Sequence, residues 1–194
     1  MVTTNTNGLP ADLAHRLKFA RSLLRTQFDT RVSINALIWS FPLAFLVHDL
    51  EEILTTETVL RETRGSIPPF LRDLVEIKTP QFALAVAIEF VLITFSSFLA
   101  GRAACKMHLF TLLLATFYVH AFGHLVQTVV QRRYTSGVIT ALLVVLPFSR
   151  YTSRRLLQAD AISQSDWNQS KVTGSLILGP FLIGLRQIVK TILR

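Results

Sequence analysis

His48-Asp49-Leu50-Glu51-Glu52 sets one imidazole and three carboxylates at the end of an apolar run, Ile34 to Leu54, that is long enough to cross a bilayer. Each ionised group near the centre of a membrane helix costs roughly 2.5–3.5 kcal/mol on insertion scales, so polar groups there point to a function. On a helix His48, Glu51 and Glu52 stand at i, i+3 and i+4 and share one face. Asp49 turns about 100° away and is assigned to an edge or an outer layer. Two more apolar runs carry similar groups. Glu89 lies within Ala-Leu-Ala-Val-Ala-Ile-Glu-Phe-Val-Leu, on a face shared with Ala85 and Ser96, and His120 and His124 are one turn apart with Gln127 continuing their face.

Neighbouring carboxylates in a dry pocket must be protonated, salt-bridged or bound to a cation. No Lys or Arg lies within the apolar part of these three runs, which leaves protons or a metal. Imidazole and carboxylate suit zinc, iron and manganese, and helical bundles hold paired irons with this kind of donor. The expected ligands are His48, Glu51, Glu52, Glu89, His120 and His124, with Asp49 and Gln127 supporting them from behind. Glu51, Glu52 and His48 are the expected catalytic groups. Three imidazoles and three carboxylates could hold a dinuclear iron centre, or a single zinc with a carboxylate base.

Depth brings these groups together. The membrane boundary is taken near Leu54, Gln81 and Val130, and each residue advances 1.5 Å along a helix. Glu51 then lies ~5 Å deep, His48 and His124 ~9 Å, Glu89 ~12 Å and His120 ~15 Å. An up-down-up bundle brings the three clusters to one level.

The remaining elements must hold that level. The apolar runs are Ile34–Leu54, Gln81–Gly101, His108–Val130, a short one over about Thr135–Ser149 that Pro147 is expected to kink or end, and a glycine-containing one over about Val172–Val189 that includes Arg186. They predict an all-α, multi-pass transmembrane bundle of four to five spans over residues 34–194. Residues 1–33 form a separate segment, in which Leu13, Leu17, Ala20, Leu24 and Phe28 recur at helical spacing among Arg16, Lys18, Arg21 and Arg25, as in a basic amphipathic helix on anionic lipid. Residues 55–80, with Pro68-Pro69, read as an ordered cap outside the membrane, and residues 150–171 as a connecting loop.

The chain has 194 residues, of which 51% are hydrophobic and 16% charged, which suits a membrane domain. Its net charge of +8 comes from Lys and Arg that flank the apolar runs, the pattern of headgroup anchors and not of a nucleic-acid surface. The single Cys105 excludes an internal disulfide and a thiolate cluster. The first ~30 residues lack the apolar stretch of a signal peptide, so the first span is expected to insert itself. Five Lys and Arg residues before that span favour a cytoplasmic N-terminus, with the cell membrane as the location.

His48-Asp49-Leu50-Glu51-Glu52, followed by His120-Ala121-Phe122-Gly123-His124 and by Tyr134-Thr135-Ser136-Gly137 before an apolar run, resembles the HXXEE-domain family of small integral membrane proteins over roughly residues 34–150. That family is named for a motif, so the resemblance implies little chemistry beyond the residues themselves. Membrane-embedded CAAX-type proteases also pair glutamates with histidines, but they look for an arginine four residues after the pair, where this chain has Thr56.

The leading expectation is a metalloenzyme acting on a lipophilic small molecule that enters from the bilayer, with iron-dependent hydroxylation or desaturation first. That chemistry needs a redox partner. A zinc hydrolase, a metal-free acid–base isomerase or cyclase, and a metal or proton carrier, which so few spans could form only as a homo-oligomer, are the alternatives.

Overall fold

The computed structural model describes residues 32–102 and 107–193, in which every regular element is helical. The basic helix expected over residues 11–28 and Cys105 lie outside the described residues.

Ser33 starts α1 (Ile34–Thr63), its hydroxyl accepting the N–H of Ala36 at 3.1 Å. Thirty residues make a rod of about 45 Å, longer than a bilayer core of ~30 Å. The helix therefore runs on past Leu54. A 3-10 turn (Arg64–Ser66) and the short α2 (Pro69–Val75), with proline in its first turn, form the expected cap and return the chain to α3 (Thr79–Arg102). Glu57 joins the two helices by accepting the Thr79 hydroxyl at 2.5 Å and the Thr79 N–H at 2.8 Å. These bonds, the hydroxyl's first, hold the half-buried Glu57 carboxyl below its ordinary value.

After α4 (Met107–Gln131) the backbone turns at Arg132, φ 52°, and at Gly137, φ 81°. It then descends through α5 (Val138–Thr140), a π turn (Ala141–Val145) and α6 (Leu146–Gln158) as one continuous rod. Pro147 neither ends nor breaks this rod. The π turn just before it, where Leu146 N–H reaches back five residues to Ala141 C=O, gives the proline ring room against the preceding turn. The loop expected over 150–171 is mostly helix. α6 continues to Gln158 because Ser149, Thr152, Ser153 and Leu156 bury one face, and a Ser163–Asp166 capping box starts α7 (Gln164–Ile192).

Successive long elements alternate in direction. Gly101 lies against Asn35 and Trp39, and Phe41 stacks on Phe148 at 6.2 Å, so α3 and the α5–α6 rod both run antiparallel to α1. α7 packs most extensively on α4, where a Cβ on Gly174 would stand 2.5 Å from the Thr116 hydroxyl and 3.0 Å from Thr116 Cα; only glycine permits that approach. The capped end gathers α2, the end of α1 and the end of α7, where Lys190 donates to Asp73 C=O.

α3, α4 and α7 are long and apolar enough to cross a membrane by length and composition. The acids of α1 and the polar second half of the α5–α6 rod keep those two below that standard. Even so, large apolar side chains face outward from every long element, among them Leu43, Val91, Val129, Leu143 and Leu176, each at least 64% exposed. Such a belt fits lipid and not water. Inside, Phe41 is fully buried against Phe110 and Phe117, forming an aromatic floor at mid-bundle.

Candidate metal centre

The candidate site lies on the capped side of that floor, between α1, α4 and the start of α5. α1 presents His48 and Glu52 one turn apart, and α4 answers with His120 and His124. The ring centroids of His48 lie 5.1 Å from those of His124 and 5.5 Å from those of His120, and the two α4 rings are 4.3 Å apart. Phe117 closes the underside, its ring 5.6 Å from His48. Glu52 Oε1 stands 3.2 Å from His124 Nε2 and 3.9 Å from His120 Nε2, while the two Nε2 atoms are 2.8 Å apart.

One donor atom from each of His48, Glu52, His120 and His124 lies within 4.8 Å of the other three. Tetrahedral ligands at ~2.0–2.1 Å from one ion stand about 3.4 Å apart, so small side-chain adjustments would let the four hold a single ion. His48 itself is 0% exposed.

Thr140 decides which His48 nitrogen is free. Its hydroxyl lies 2.5 Å from Glu51 Oε2 and 2.9 Å from His48 Nδ1. A hydroxyl has one proton, and the carboxylate is the stronger acceptor. Thr140 therefore donates to Glu51 and accepts from His48 Nδ1–H. That tautomer leaves a lone pair on His48 Nε2, a buried atom with no hydrogen-bond partner among the described residues. An orphaned imidazole nitrogen on a ring grouped with three other donor side chains is the arrangement a metal satisfies.

Glu51, expected among the ligands, is occupied elsewhere. It accepts from Thr140 N–H at 2.7 Å, Ile139 N–H at 3.3 Å and the Tyr134 hydroxyl at 2.7 Å, besides the Thr140 hydroxyl. Its charge thus sits at the N-terminus of the α5–α6 rod, where free N–H groups and the helix dipole favour an anion. Tyr134 to Gly137 fold onto α1 in the same way. Ser136 Oγ lies 2.7 Å from the Thr55 hydroxyl and 2.8 Å from that of Thr56. Gly137 passes so close that a Cβ there would meet His124 Cε1 at 2.9 Å and Glu52 Oε1 at 3.0 Å.

The other expected site residues face a cavity of about 550 Å³ among α1, α3, α4 and α7. Glu89, Asp49 and Gln127 line it, together with Glu52, His120 and His124. Glu89 is outside the four-residue group, and Asp49 Oδ2 is buried without a hydrogen-bond partner among the described residues. The fifth run contributes Arg186, which donates from Nη1 to Val75 C=O at 3.2 Å and lines the same cavity. Arg186 thus shares a cavity with Asp49, Glu52 and Glu89, with no ion pair to them among the described residues. Thr140 and Arg186 are the participants that sequence reasoning did not assign to the site.

The family model described as a protein of unknown function with HXXEE motif matches residues 39–152, and the chain belongs to that family. No curated protein and no solved structure matches it.

Proposed function

We propose that this HXXEE-family member is an integral membrane metalloenzyme that binds one transition-metal ion, zinc or iron, between His48, Glu52, His120 and His124, and acts on a lipophilic small molecule. The orphaned Nε2 of fully buried His48, fixed in its tautomer by Thr140, carries the reading. Five crossings by α1, α3, α4, the α5–α6 rod and α7 would put the site within the bilayer. A cell-membrane location and a cytoplasmic N-terminus remain part of the proposal.

Held by His48, Glu52, His120 and His124, an ion would supply Lewis acidity toward an oxygen of the substrate. The chain supplies the rest. Glu51 and Thr140 orient His48, and Gly137 lets the 134–137 turn close over Glu52 and His124. Glu89 and Asp49, on the cavity wall beside the ion position, give and take protons at the substrate. The apolar remainder of the wall excludes water. Hydrolysis or isomerisation at a polarised carbon–oxygen group suits this set.

Asp49 Oδ2 favours a second reading. It is buried and unpartnered near Glu52 and Glu89, so a second ion among those three carboxylates would make a dinuclear iron centre for hydroxylation or desaturation, fed by a redox partner. Elemental analysis of detergent-purified protein tests both. One ion per chain, lost in His120→Ala and in Glu52→Gln while the protein stays monodisperse, supports the first reading. Two irons per chain support the second. Wild-type protein that holds no metal after expression with ample zinc and iron refutes both.

A further inference from the structure

Granting a single ion at the four donors, we infer that the cavity takes one single-chain lipid, a long hydrocarbon chain bearing an oxygen function at one end. Size and the placing of polar groups lead there.

The cavity is long and thin. Along α4 its lining runs from Gln127 to Leu109, a rise of about 27 Å. A volume of about 550 Å³ over that length leaves a mean cross-section of about 20 Å², about that of one extended hydrocarbon chain. A methylene fills about the space of a liquid water, ~30 Å³, so the cavity holds about 18 such groups. Two-chain membrane lipids are too large, and compact drug-like molecules would leave most of the length empty.

Polarity is unevenly placed. Asp49, Glu52, Glu89, His120, His124 and Arg186 line the capped part, whereas Ile93, Leu109 and Leu112 line the other end as bare hydrocarbon. A chain would lie with its tail toward Leu109 and its oxygen function beside the histidines.

Native mass spectrometry of the metal-loaded, detergent-purified protein tests this with straight-chain primary alcohols from dodecanol to docosanol and a phosphatidylcholine. We expect one alcohol per chain, best retained near octadecanol, with phosphatidylcholine not retained specifically. Leu109→Trp and Leu112→Trp each fill about two methylene equivalents at the apolar end, so the preferred alcohol shortens by about two carbons in each and about four in the pair. Leu112→Phe is the milder variant should tryptophan prevent folding, and it shifts the same way. Phosphatidylcholine bound as well as octadecanol, no length preference, or a preference unmoved by the variants overturns the inference. Metal content of the same samples reads the ion site separately. Full metal occupancy with no alcohol retained refutes the lipid alone, and a metal-free protein refutes the reading it rests on.

Discussion

Replacing Thr140 with valine keeps the shape of the side chain and removes one hydroxyl. Two bonds go with it: the 2.9 Å contact to His48 Nδ1 and the 2.5 Å contact to Glu51. Glu51 keeps the Thr140 and Ile139 N–H groups and the Tyr134 hydroxyl, so the start of α5 stays anchored. His48 fares worse, because a buried donor without an acceptor costs about 1–3 kcal/mol. In the metal-free protein the ring escapes part of this by moving its proton to Nε2. With an ion on Nε2 it cannot, and the penalty falls on binding. Loss of the partner behind a metal-bound histidine weakens affinity by about 10–100-fold, or about 1.4–2.7 kcal/mol, which matches the burial estimate. Competition against a chelator of known affinity, in detergent, measures the change. Thr140→Val is expected to bind metal 10- to 100-fold more weakly, and Thr140→Ser, which restores the hydroxyl, within about threefold of wild type. Valine with wild-type affinity, or serine as weak as valine, would refute the tautomer argument.

Gly137→Ala forces a Cβ into His124 and Glu52 from a backbone at φ 81°, which L-residues adopt at a cost of about 1–2 kcal/mol. Both metal retention and thermal stability are expected to fall, and retention of full metal content would show that the turn does not close on the site as described. Gly174→Val drives a side chain into Thr116 Cα, so α4 and α7 must part, with a loss of about 1–3 kcal/mol in thermal or denaturant unfolding. A change below about 0.5 kcal/mol would mean that the two helices are not held so close.

Much of the arrangement was legible because it follows from depth and helical angle. His48, Glu52, His120 and His124 meet because the level deduced from the ends of their runs is the level at which α1 and α4 face each other. Helical angle also explains why Glu51 stands apart from the four. At about 100° per residue, Glu51 lies about 60° to one side of His48 and Glu52 about 40° to the other, so a shared face still divides between two neighbours. Glu52 turns toward α4, and Asp49, farther round on that side, follows it to the cavity. Glu51 turns toward α5. Glu89 has a similar depth, but α3 stands across the cavity, and depth alone says nothing of distance across a bundle. Thr140 was not legible, because one threonine in an apolar run carries no pattern until its partners are known. The polar character of 150–171 suggested a loop, yet Ser149, Thr152 and Ser153 are small enough to be buried in helix contacts.

The hydrogen bond that fixes His48 joins residues 92 positions apart in the chain. During synthesis α1, α3 and α4 emerge before α5 exists, and the Glu51 carboxylate waits 89 residues for the Thr140 N–H that it accepts from in the finished bundle. Truncation after residue 131 would yield a product carrying every proposed donor yet unable to orient them.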